Sequence, residues 1–132
     1  MIILDTHAWI WHVQGDKRLK PGTQKIIQGH EYLGIGVSAI SLWEVAKAVE
    51  YGGLNLPVPV EDWLHTAVSY PGAQVLPLTV HIATESTQLP GHFHNDPADQ
   101  IIVATARVHD CALITYDSKI LKYKHVKLIK PI

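Results

Sequence analysis

Short, continuously apolar runs separated by helix-forming sequence leave this chain few architectures. Ile2-Ile3-Leu4 stops at Asp5, Ala112-Leu113-Ile114-Thr115 is followed within two residues by Asp117, and Val126 to Ile129, interrupted by Lys127, is a last strand. Such runs are too short for helices. When apolar at nearly every position they fit strands buried on both faces, as in a parallel sheet covered by helices. The intervening sequence supplies those helices. Thr6 to Gln14 places Trp9, Ile10 and Val13 at helical spacing and ends at Gly15-Asp16, and Pro21 to His30 is a second helix. Tyr32 to Val37 is β-prone, though two glycines interrupt it. Ser38 serves as N-cap of a helix reaching about Tyr51, where Gly52-Gly53 stops it. Beyond the Leu54–Pro59 connector come a helix over Val60 to Ser69, a brief strand at Val75-Leu76 and a helix over Thr79 to Thr87. The alternation predicts an α/β sandwich in one domain.

The stretch His94-Asn95-Asp96-Pro97-Ala98-Asp99-Gln100 opens the most distinctive helix. Asp96 is placed to be its N-cap, Pro97 its first residue and Asp99 its third, and the sequence from Ile101 to Ala106 is apolar almost all round. The helix is therefore expected to be buried on most faces. Both aspartates have an ordinary role available, satisfying the helix N-terminus and its dipole.

Asp99 gains interest from three other acids at the ends or edges of apolar segments. Asp5 and Asp117 follow strands, and in a parallel sheet the carboxyl ends of strands share one edge, where ligands bind at a reversal of strand order. Asp99 starts the helix that leads back to the strand before Asp117, so it belongs at that same edge. The helix carrying Glu44 leaves the end of the second strand there too. Four clustered carboxylates repel, and two Mg²⁺ ions would balance them while leaving room for a substrate phosphate. Each acid also has a purely structural alternative: Asp5 and Asp117 as helix caps, and Glu44 as the partner of an N-cap Ser41 in a capping box.

Composition bounds the partners. The chain has 132 residues, 47% hydrophobic and 17% charged, and a formal net charge of −1, so no bulk positive field draws it to nucleic acid. Any such contact needs a local basic patch, and Lys119, Lys122, Lys124, Lys127 and Lys130 form the one concentration available, with a plain solvated surface as the simpler reading. The single cysteine, Cys111, beside an apolar run, is expected to be an inert core thiol in a reducing compartment. The first residues lack the basic segment of a signal peptide, and no apolar run is long enough to span a membrane. Nine histidines invite a zinc site, but His92 and His94 come without a cysteine pair and fit better as loop residues. His7, two residues after Asp5, stands near enough to approach a substrate or to be an exposed helix-start residue. Trp9, Trp11, Trp43 and Trp63 are expected in the core or an interface rather than as platforms for bases.

Four motifs, Met-Ile-Ile-Leu-Asp-Thr-His-Ala, Ser-Leu-Trp-Glu, His-Asn-Asp-Pro-Ala-Asp-Gln-Ile-Ile-Val-Ala-Thr-Ala and Leu-Ile-Thr-Tyr-Asp, resemble in order and spacing those of PIN domains. More closely they resemble VapC-type toxins of bacterial type II toxin–antitoxin pairs. The resemblance spans residues 1–132, and the third motif is its most specific part. It implies a three-layer sandwich with a parallel sheet of about five strands in the order 3-2-1-4-5. It further implies a Mg²⁺- or Mn²⁺-dependent ribonuclease in the cytoplasm, cleaving RNA with a metal-activated water. Asp5, Glu44, Asp99 and Asp117 then become catalytic and metal-site acids, and Thr6, Asp96 and Thr115 supporting residues. A small cognate antitoxin and a homodimer are implied as partners. Gln100 departs from the arginine common in this subgroup, which removes any salt bridge or phosphate contact made there.

Rival readings remain at this level. A phosphatase with Asp5 as nucleophile would want an aspartate where His7 stands. A flavodoxin-like module responding to metal or phosphate, without nuclease activity, would not need Glu44. A binding protein with lost catalysis would not need all four acids.

Overall fold

Hydrophobic residues sort to the two faces of one sheet by simple alternation. The computed structural model describes residues 1–132. Five strands, β1 (Ile2–Leu4), β2 (Ile35–Ser38), β3 (Ala73–Leu76), β4 (Ala112–Ile114) and β5 (Leu128–Ile129), pair in parallel in the order β3-β2-β1-β4-β5. The strand order 3-2-1-4-5 is as expected. Ile2 and Leu4 point to one face with Ile35, Val37 and Ile114; Ile3 and Leu113 point to the other. Both faces are buried at the centre of the sheet, which is why β1 and β4 are apolar at every position.

Helices α1 (Thr6–Gln14), α2 (Pro21–Gly29), α3 (Ala39–Glu50) and α4 (Val60–Val68) cover the first face, contributing Ala8, Trp9, Ile27, Val45, Trp63 and Ala67. Trp9 and Trp63 meet edge to face with ring centroids 5.5 Å apart. The second face is covered by α6 (Pro97–Val108) and α7 (Ser118–Leu121), through Ile102, Val103, Ala106 and Ile120, with α5 (Val80–Ser86) packed on α6. Residues Ile102 to Ala106 are all buried, so α6 is enclosed on nearly every side, as its composition predicts. No helix is long and apolar enough to cross a membrane.

Two local expectations are corrected. The strand expected from Tyr32 begins only at Ile35: Leu33 and Gly34 donate to the His30 carbonyl and Gly34 turns the chain at φ +105°, leaving Tyr32 and Leu33 exposed. Cys111 is half-buried at the rim of the second core rather than inside it, because it lies in the turn one residue before β4. The tryptophans divide: Trp9 and Trp63 are core, whereas Trp43 is 56% exposed.

Candidate active site

Parallel strand order brings four chain crossovers to the carboxyl edge of the sheet, and each delivers one of the expected acids. Leu4 and Ile114 are paired in register, and the Asp5 N–H extends that pairing by donating to the Ile114 carbonyl at 2.9 Å. The Asp5 carboxylate, only 5% exposed, then does two things. One oxygen accepts from the Thr6 N–H at 2.6 Å and caps α1; the other accepts from the Thr115 hydroxyl at 2.6 Å. Buried Thr115 in turn accepts from the Asp117 N–H at 3.0 Å, tying the ends of β1 and β4 together. Asp117 is exposed and caps α7, Oδ1 accepting from the N–H groups of Lys119 at 2.8 Å and Ile120 at 3.2 Å.

Glu44 reaches the same edge from α3. Its Oε1 accepts from the Thr6 hydroxyl at 2.5 Å, and Thr6 Oγ1 also lies 2.7 Å from buried Ser41 Oγ. A single hydroxyl proton on Thr6 goes to Glu44, so Ser41 is the donor of the second bond. The capping-box alternative for Glu44 is thereby overturned. Ser38 is the N-cap, accepting from the Ile40 N–H at 3.2 Å, so Ser41 lies inside the helix and Glu44 in its second turn.

Asp99 is held from two directions. Its N–H donates to the Asp96 carboxylate at 3.1 Å, which makes Asp96 the N-cap of α6 as expected. Its Oδ2 lies 2.7 Å from His94 Nε2. Gln100 Nε2 donates to the His94 carbonyl at 2.9 Å and clamps the loop, so the glutamine performs a neutral structural task where a cation was the family expectation. The His94 contact to Asp99 and the Ser41 contact to Thr6 were missed as site contacts by sequence reasoning. His94 carried a signal through its place in the third motif. Ser41 carried only its three-residue spacing from Glu44 on one helix face.

The carboxylates sense each other. Burial is the largest influence on Asp5, Glu44 and Asp99, and pushes all three above the ordinary carboxylate range, Glu44 to about 7. Bonds from Thr115, Thr6 and His94 respectively oppose the rise. Repulsion adds to it, from Asp117 on Asp5, from Asp5, Asp99 and Asp96 on Glu44, and from Asp96, Asp5 and Asp117 on Asp99. The four expected acids are thus one electrostatic unit, with exposed Asp96 at its margin. His7 is exposed beside Asp5 and lowers its pKa, against the larger effect of burial.

No three His, Cys, Asp or Glu side chains close on a single point. The donor set nonetheless suits a hard divalent cation. It is made of oxygens, and each carboxylate keeps lone pairs beyond those its protein donors use. Beside Glu44, a groove of about 420 Å³ opens between α3 and the start of α6, lined by Ile40, Trp43, Asp96, Pro97 and Ala98.

The model of the PIN domain matches residues 2–126. The chain belongs to the PIN-domain family and, within it, to the VapC-like toxins. It is 31% identical over 124 residues to ribonuclease VapC22 of Mycobacterium tuberculosis, covering 94% of this chain and 92% of that one. Among solved structures it resembles VapBC2 of Rickettsia felis bound to a promoter DNA fragment, with a TM-score of 0.74, 14% identity and 98% of each chain covered. It resembles DNA-bound VapBC of Salmonella typhimurium with a TM-score of 0.72, 17% identity and the same coverage. At these identities the two structural likenesses speak to the fold, and the family assignment rests on the domain match and the mycobacterial relative.

Proposed function

We propose that this chain is a divalent-cation-dependent endoribonuclease and the toxin of a toxin–antitoxin pair, acting in the cytoplasm. One observation carries the reading: buried Asp5 and half-buried Glu44 and Asp99 meet at one sheet edge with Asp117 beside them, close enough that Asp5 and Asp99 raise the pKa of Glu44 and Asp117 raises those of Asp5 and Asp99. A fold keeps such an arrangement at the expense of stability, and perturbed acids of this kind cluster at functional sites. The related mycobacterial protein is named a ribonuclease.

Asp5, Glu44, Asp99 and Asp117 would hold Mg²⁺ or Mn²⁺. The bound cation supplies positive charge to the phosphate oxygens and lowers the pKa of the attacking water. The chain's own residues orient the acids. Thr115 fixes Asp5, Thr6 with Ser41 fixes Glu44, and His94 fixes Asp99. Thr6 and Thr115 donate to the carboxylates, so they favour the ionised state that a cation needs. The phosphatase alternative lacks a second aspartate at His7, and the flavodoxin-like alternative leaves half-buried Glu44 without a task.

For the antitoxin, the groove combines apolar Ile40, Trp43, Pro97 and Ala98 with the acids Glu44 and Asp96. An apolar segment carrying an arginine fits that combination, since a guanidinium presents planar donors to carboxylates. A homodimer would use exposed aromatic surface, of which Tyr32, Trp43 and Tyr51 are examples.

The test is cleavage of labelled RNA with Mg²⁺ or Mn²⁺, with EDTA, and with Asp5→Asn or Asp99→Asn. Metal-dependent cleavage lost in both folded variants is expected. Undiminished cleavage by both variants in EDTA would remove the proposal.

A further inference from the structure

A second cavity, of about 430 Å³, opens beside the acids and has the opposite charge. Its lining comes from two segments, the loop before α6 with His92 and His94, and α7 with the residues after it, Lys119, Lys122, Lys124 and His125; the lysines carry its charge. None of these three lysines is engaged by a carboxylate; the ion pairs of the molecule involve Arg18, Lys47, His65, His94, Arg107 and Lys127. In a chain of net charge −1 this is a local concentration of unspent positive charge.

The cavity is built rather than incidental. Phe93 forms part of its wall, its ring centroid 4.3 Å from that of His94 and 4.8 Å from that of Tyr123. Tyr123 is buried and its hydroxyl donates to the Pro90 carbonyl at 2.5 Å, pinning the loop to the segment after α7. Arg107 reaches across from α6 to the His125 carbonyl and to Glu85. The cavity is also joined to the candidate acids at two points. His94 lines it while bonding Asp99, and Lys119 lines it while its N–H is capped by Asp117.

We propose that this cavity seats the RNA strand next to the scissile position: Lys119, Lys122 and Lys124 take its phosphates, with His92 and His125 at the rim. The inference rests on the ribonuclease reading and adds where the flanking strand lies. The acids repel a polyanion unless cations intervene, so affinity for the strand must come from a neighbouring positive surface. The Lys-His cavity is linked to the acids through His94 and Lys119 and carries that charge. Single-stranded RNA suits it because the lysines are flexible point charges on an open wall, a surface that reads phosphates rather than bases.

The experiment compares wild type, Lys122→Gln/Lys124→Gln and the control pair Lys17→Gln/Lys25→Gln, whose exposed lysines lie outside the cavity. Each binds a labelled single-stranded RNA and, separately, poly-glutamate, in EDTA across a salt series. Wild-type cleavage with metal is measured in parallel. At about 50 mM salt the cavity pair should lose roughly 50-fold in RNA affinity, and its log–log salt slope should fall by about 1.4, for two phosphate contacts. The control pair should bind as wild type. In cleavage the cavity pair should raise KM much more than it lowers kcat. Cleavage by wild type with equal RNA affinity in both pairs overturns this inference and leaves the ribonuclease reading standing. Wild type that neither binds nor cleaves RNA overturns both. Loss of poly-glutamate binding with RNA binding intact overturns the inference in favour of an acidic protein partner.

Discussion

Glu44→Gln should stabilise the metal-free protein at alkaline pH and leave it unchanged in acid. Burial and the charges of Asp5, Asp99 and Asp96 push the Glu44 carboxyl from an ordinary 4.5 to about 7. A group with a raised folded-state pKa binds more protons folded than unfolded between those values. Its contribution is therefore fully present below pH 4.5 and is lost as pH rises through about 7. Taken whole, the displacement corresponds to about 3.4 kcal/mol. Glu44 is only partly buried, and solvent screening reduces this to about 1.5 kcal/mol. Glutamine keeps an oxygen to accept from the Thr6 hydroxyl and removes the charge. The variant should match wild type near pH 4 and exceed it by about 1.5 kcal/mol near pH 8, or about 5 °C in Tm for a chain of this length. Thermal melts in EDTA across that range are the assay. Added Mg²⁺ should raise the Tm of wild type at pH 8 more than that of the variant, since the cation replaces the missing positive charge. A stability difference of the same size and sign at both pH values would refute the reasoning, because an uncharged carboxyl has no repulsion to lose.

Other perturbations follow from the same contacts. Thr115→Val keeps shape but removes the donor to buried Asp5 and the acceptor for the Asp117 N–H, and should cost about 3 kcal/mol in urea melts at neutral pH. Ile102→Ala, at a fully buried position of α6, should cost about 2–5 kcal/mol by the same measurement. Gly72→Ala should destabilise by about 2 kcal/mol or more, since its φ is +79° and an added Cβ would lie 2.5 Å from the Glu31 carbonyl oxygen; recovery of wild-type Tm would show that the turn relaxes freely. On the antitoxin proposal, Mg²⁺ at fixed ionic strength should weaken antitoxin binding to wild type and have a smaller effect on Asp99→Asn; titration calorimetry of both reads this directly.

Much of this molecule was legible in its sequence. Apolar runs with no polar face can only be strands buried on both sides, so β1 and β4 and the parallel, helix-covered sheet follow from Ile2–Leu4 and Ala112–Ile114 without coordinates. The start of α6 was equally plain, because Asp96 and Pro97 satisfy N-terminal requirements that are local in the chain. The cap of α3 at Ser38 was legible too, whereas the local signal was weaker where a glycine turn displaced the start of β2. Relations between distant residues belonged to the tertiary structure. Thr115 meets Asp5 across 110 positions and Thr6 meets Glu44 across 38, bonds that exist only because β1 lies between β2 and β4. The perturbed acidities have the same origin. A carboxylate's charge state depends on water excluded and on charges within a few ångströms, and neither is a property of neighbours in sequence. The basic cavity shows this too: five lysines spread from 119 to 130 read as a solvated surface until folding sets three of them around one opening beside the acids.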